Sequence, residues 1–146
     1  MIRTAALLAA TLAAAPALAD IESVASPHPV ARTADALVAA AEAAGATIVA
    51  RVDHAAAAGG IGATLPEAQL LILGNPSLGT PVMQEDIRAG LMLPLRVLVH
   101  ADADGQTRVT WQDAEEMFDD LDVDDDGAAV SAIEDAIEGL VAQAVR

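Results

Sequence analysis

Cysteine is absent from this chain of 146 residues. Disulfides, thiolate nucleophiles and thiolate-bound metals are therefore excluded, and the hydrophobic core must hold the fold. Lysine is absent too, so there is neither a Walker-type phosphate loop nor Schiff-base chemistry. Tyrosine is missing, and the one tryptophan and one phenylalanine offer little surface on which bases or sugars stack. The formal net charge of −15 repels nucleic acid and anionic lipid, so nucleic acid is not expected as a partner. Sixteen of the twenty-two acidic residues lie from Glu85 onward, which makes the C-terminal third a solvated, solubilising region. No internal repeat and no long low-complexity linker breaks the chain after its first twenty residues.

Those first residues carry a basic start at Arg3, an Ala/Leu run and the small-x-small signal Ala17-Leu18-Ala19 before Asp20. The pattern predicts a signal peptide over residues 1–19 and a periplasmic or secreted product. The run is too short and alanine-rich for a membrane span of ~20 residues, and no later stretch approaches that length, so no span is expected after cleavage. Residues 20–146 suffice for a single domain, whose charge becomes −16 once Arg3 is removed.

Ile21 to Ser26 alternates like a short strand and stops at Pro27-His28-Pro29. Val30, Ala34, Leu37, Val38 and Ala41 recur at helical spacing up to Gly45. Thr47 to Val52 reads as a second strand. Asp53 follows as the cap of a short helix, His54 to Ala58, stopped by Gly59-Gly60. The apolar run within Ala68 to Gly74 predicts a central strand that empties into a tight loop, Gly74-Asn75-Pro76. Thr80 as N-cap with Pro81 then predicts a helix to Arg88. Leu95 to His100 and Thr107 to Gln112 flank the turn Asp102-Ala103-Asp104-Gly105 as a hairpin, with Thr107, Val109 and Trp111 on one face. Asp113 and Glu116 open a helix to about Asp120. The last helix, Ala128 to Val145, presents Val130, Ile133, Ile137, Leu140, Val141 and Ala144 as one stripe. This order predicts an α+β fold, a mostly antiparallel sheet of about five strands with helices packed on one face. The other face needs solvent or a partner, so a homodimer is expected.

Val52-Asp53-His54-Ala55, Gly74-Asn75-Pro76 with Gly79-Thr80, Val82-Met83 and Leu93-Pro94-Leu95 occur in that order after a long helix. In this the chain resembles the DUF302 family over about residues 20–145. The resemblance implies a TBP-like β-α-β4-α arrangement, makes dimers plausible and assigns no biochemical activity. The acidic insert Asp119 to Gly127, and Arg32 where the family often has an acid, depart from its pattern.

Three constellations are candidates. Asp53-His54 places a carboxylate beside an imidazole at a strand end, although adjacent helical residues do not face one another. Gly74, Asn75, Gly79 and Thr80 shape a loop whose backbone N–H groups at a helix start favour an anion. Asp122, Asp124 and Asp126 with Gly127 match the opening of a calcium loop. However, Ile133 stands where its closing glutamate belongs, so calcium is at most a weak cofactor. The leading expectation is an exported binding domain that takes a small ligand or protein partner where the Asp53-His54 turn meets the Asn75 to Thr80 loop. The alternatives are a hydrolase or isomerase with His54 as base, oriented by Asp53 or Asn75, and a weak calcium binder.

Overall fold

The computed structural model describes residues 21–146, and the expected signal peptide, residues 1–19, lies outside them. Strand β1 (Ile21–Ala25) leads into helix α1 (Val30–Ala43), followed by β2 (Thr47–Asp53), α2 (His54–Gly60), β3 (Ala68–Gly74) and α3 (Pro76–Glu85). A 3-10 turn (Ile87–Leu91), the hairpin β4 (Leu95–Ala101) and β5 (Thr107–Gln112), a short α4 (Ala114–Met117) and α5 (Ala128–Ala144) complete the order. The strands form one sheet in the order β1-β5-β4-β3-β2, and every neighbouring pair is antiparallel. This is the predicted α+β sheet. β1 and β2 occupy opposite edges, so α1 carries the chain across the sheet.

Alternation along the strands sends Leu71, Leu73, Leu95, Val97, Val99, Val109 and Trp111 into one core against the helices. From α5 come Val130, Ile133, Ile137, Leu140, Val141 and Ala144, all buried, which is the stripe read from the sequence. Each of the larger ones contributes roughly 1.5–3 kcal/mol by leaving water. α1 adds Val30, Ala34, Leu37 and Ala41. Thr33 is buried beside them because its hydroxyl bonds Ser26 Oγ at 2.7 Å.

On the opposite sheet face Val49 and Val52 are 58% and 36% exposed, and Leu70, Ile72 and Leu98 are half-buried. Arg96, His100, Arg108 and Thr110 share this face. The Arg108 Nε–H donates to Ser23 Oγ at 3.0 Å, and Ser23 Oγ and His100 Nε2 each lie 3.1 Å from Thr110 Oγ1. His100 is half-buried there. β2 slips register between Ile48 and Ala50, leaving Val49 as a bulge.

Several boundaries differ from the sequence expectation, among them the end of α3, which stops at Glu85 instead of Arg88 and gives way to the 3-10 turn. α3 starts at Pro76, not after Thr80, because the Asn75 side chain accepts the Ser77 N–H at 3.1 Å and Pro76 suits a first helical position. Thr80 and Pro81 therefore lie inside a helix. α2 runs through Gly59 and Gly60, and α4 stops at Met117, short of Asp119 and Asp120, whose charges oppose a helix C-terminus. Ser26 falls outside β1.

Candidate functional site

Asp53 caps α2 as predicted, its Oδ1 accepting the Ala56 N–H at 2.8 Å. The pocket expected between this turn and the Asn75 loop does not form. β2 and β3 are antiparallel, with Asp53 opposite Gln69 and Thr47 opposite Gly74. The Asp53-His54 turn and the Gly74-Asn75 bend therefore lie at opposite ends of the sheet, separated by about six residues of strand, roughly 20 Å. Neither Asp53 nor His54 lines any of the three cavities described for the molecule. His54 cannot be oriented by Asn75 across that distance, and of the two orienting partners expected for a His54-based hydrolase or isomerase this leaves Asp53, whose Oδ1 is engaged by the Ala56 N–H.

The Asn75 end of the sheet does carry cavities. One, of about 330 Å³, lies between α3, the segment Gly90 to Leu95 and Ile133 of α5, and is lined by Gly74, Asn75, Leu78, Gly79, Thr80, Met83 and Leu93 among others. Two of its walls pass close to glycine: a Cβ on Gly79 would sit 3.1 Å from Leu93 Cδ1, and a Cβ on Gly90 would sit 3.1 Å from Met83 Cε. A second cavity, of about 380 Å³, opens between the end of α1 and the Asp135 to Gln143 stretch of α5. Leu73, Asn75, Leu78 and Leu95 line both, so these are two lobes adjoining across Leu78. Among the described residues no ionisable side chain lines the first lobe, and Asp135 is the one ionisable residue on the second. Thus Gly74, Asn75, Gly79 and Thr80 are brought together at a cavity, whereas Asp53 and His54 are not. Of the apolar walls, Met83 and Leu93 stand in the segments that carry the family resemblance and Ile133 in the core stripe, but nothing in the sequence marked these or Leu78 as lining a cavity.

The anion site expected at the start of α3 is closed by the protein itself. Pro76 has no N–H, Ser77 donates to Asn75 Oδ1, and the Leu78 and Gly79 N–H groups each donate to the Asn75 carbonyl at 3.0 Å.

Beyond α3 lies a polar junction that sequence reasoning missed. Asp86, buried and 8% exposed, accepts the Arg88 N–H at 2.9 Å, the Arg88 Nε–H, the Arg88 Nη2–H and the Asp122 N–H at 3.1 Å. The Arg88 side chain, chiefly, and these N–H donors hold its carboxyl well below the usual carboxylate range. Glu85 accepts the Asp124 N–H at 2.9 Å. The acidic loop is thus fastened to the end of α3 through its backbone. Gly127 is needed there, since a Cβ would come within 2.6 Å of the Asp124 carbonyl oxygen. Among the described residues no three His, Asp or Glu side chains are placed to hold a metal ion, so Asp122, Asp124 and Asp126 do not converge as a calcium loop requires. His28, His54 and His100, distant in sequence, all fall towards the Asp53 end of the sheet and form no such group either. On α5, burial pushes the Glu134 carboxyl up, while the Ala114 N–H, donating to it at 2.9 Å, opposes that rise.

Comparison with known proteins places this geometry among its relatives. A 91-residue stretch is 41% identical to proteins named fluoride-specific ion channel FluC 1 from Brucella suis biovar 1 (strain 1330) and Brucella abortus biovar 1 (strain 9-941). That stretch is 62% of this chain, and the chain spans about a third of the length of those relatives, 36% and 34%. No described helix is long and apolar enough to cross a membrane. The crystal structure of an uncharacterized conserved DUF302 protein from Bacillus stearothermophilus superposes with a TM-score of 0.79 at 15% identity, covering 88% of this chain and 99% of that one. At that identity the likeness establishes the fold. The model of the domain of unknown function DUF302 matches residues 22–144, and the chain belongs to the DUF302 family.

Proposed function

We propose that the exported chain is a binding module whose two-lobed cavity beside Asn75 and Leu78 takes a small, largely apolar ligand. The observation that carries this reading is the lining. The lobes, about 330 and 380 Å³, fall in the size range of small-molecule sites and combine apolar walls with a few polar groups, Asn75, Thr80 and Gln143. Among the described residues no acid–base pair faces the cavity, which favours binding over proton-transfer chemistry. Uncharged apolar probes such as n-octanol are expected to raise the melting temperature of the wild type, by the equivalent of about 2.7 kcal/mol at a hundred times the dissociation constant. Leu78→Trp, which fills the boundary between the lobes, should fold normally by circular dichroism and lose that shift. A wild type indifferent to every such probe, or a Leu78→Trp protein that responds equally, overturns the reading. The ion conduction named for the Brucella proteins is not carried over, because the shared stretch is about a third of each of them.

The uncovered sheet face favours a second reading, a homodimer. It exposes Val49 and Val52 and carries no carboxylate within its strands, so two strongly acidic copies can approach there without opposing acids. Five strands of about six residues present on the order of 500 Å², towards the ~800 Å² that each partner buries in a stable interface. Sedimentation equilibrium should find a dimer for the wild type and a folded monomer for Val52→Asp. A monomeric wild type across the micromolar range discards this reading.

A further inference from the structure

The two lobes differ from most small-molecule sites in what they withhold from a charged ligand. None of the six arginines among the described residues lines either lobe. The first turn of α3, which points N–H groups towards the Asn75 end, has them engaged by Asn75 or lacks them at Pro76. The one charged group on the lining is the Asp135 carboxylate, and the whole chain adds a field of formal charge −15. An anionic head would meet no cation there, only the neutral Asn75 and Gln143 amides and the Thr80 hydroxyl.

From this lining we infer that the ligand is a cationic amphiphile, an unbranched apolar body in the lobes beside Leu78 with an amine directed at Asp135. The inference rests on the cavity being a ligand site, and it adds the sign of the ligand's charge. A flexible unbranched body suits the site because two cavities that share Leu73, Asn75, Leu78 and Leu95 can be followed by a chain more readily than by a rigid ring system. Asp135 is exposed, so solvent screens its attraction and the preference it gives is modest.

Three probes of equal chain length separate the two ideas: n-octylamine, n-octanol and n-octanoate at pH 7, each measured by displacement of the uncharged dye Nile red. The expected order of affinity is amine, alcohol, carboxylate, with the amine about two- to fivefold tighter than the alcohol. Asp135→Asn should bring the amine down to the alcohol. Glu115→Gln, an equal change of net charge away from the lobes, should not, which distinguishes Asp135 from general attraction to an acidic surface. Octanoate binding as tightly as octanol, or an amine preference that survives Asp135→Asn, overturns the inference while leaving the cavity a ligand site. Failure of all three probes to displace the dye removes both.

Discussion

Phe118→Ala is expected to lower the stability of the domain by about 3–5 kcal/mol, enough to remove much of the margin of an ordinary small protein. Phe118 is the only phenylalanine, it is fully buried, and it heads the largest buried side chains of the core. It sits where α4 ends, beside the buried Met117, and no cysteine pair exists to hold the surrounding elements if its volume is lost. Alanine leaves a cavity that the antiparallel sheet, fixed on both sides by its ladder, cannot close. In denaturant titration the midpoint should fall with an unchanged slope, and melting should drop by roughly 10–20 °C. A loss below about 1 kcal/mol would show that the core relaxes around the gap and that Phe118 is not its centre.

Asp86→Asn should produce the other large effect, and its pH dependence identifies the cause. The Asp86 carboxyl is held well below its ordinary value of 3.8, first by the Arg88 side chain and then by backbone donors, with burial opposing them. A folded-state pKa below the unfolded one contributes stability that is complete above the unfolded value and is lost as pH falls through the folded one. The gap in denaturation midpoint between wild type and Asp86→Asn should therefore be constant from pH 7 to 5 and narrow below about pH 4. The variant should also loosen the acidic loop, since an amide is a weaker acceptor for the Asp122 N–H, and proteolysis within Asp119 to Gly127 should quicken. A gap that stays the same down to pH 2 would mean that packing, not charge, is what the substitution disturbs.

Much of this architecture was legible in the residues because it is repetitive. The stripe from Val130 to Ala144 and the alternation of Thr107, Val109 and Trp111 carry their period over enough positions to fix both the element and its buried face. The candidate site was legible only in half. Asn75, Gly79 and Thr80 mark a shaped bend, and they do line a cavity. Pairing them with Asp53-His54 failed because both motifs follow the C-terminal ends of adjacent strands, and in an antiparallel pair those ends point apart. The predicted antiparallel sheet already contained that conclusion. The start of α3 was misplaced because Asn75-Pro76 and Thr80-Pro81 are two competing start signals five positions from one another, and the Ser77 N–H donated to the Asn75 side chain decides between them. Asp86 and the walls of the lobes lay beyond sequence reasoning, since their partners come from 36 positions away for Asp122 and from a different helix for Ile133.

The position of β1 at the sheet edge governs the order in which the molecule can be completed. Its sole neighbour is β5, and the cross-strand contact of Ser23 with Thr110 joins residues 87 positions apart. Closing so long a span is entropically costly and slow, and it must wait for the hairpin that supplies the docking strand. On the export route proposed for this chain, the first strand of the domain has nothing to pair with until the last third of the polypeptide has been made. Whatever the route, β1 can therefore dock only once the chain has been made through Gln112.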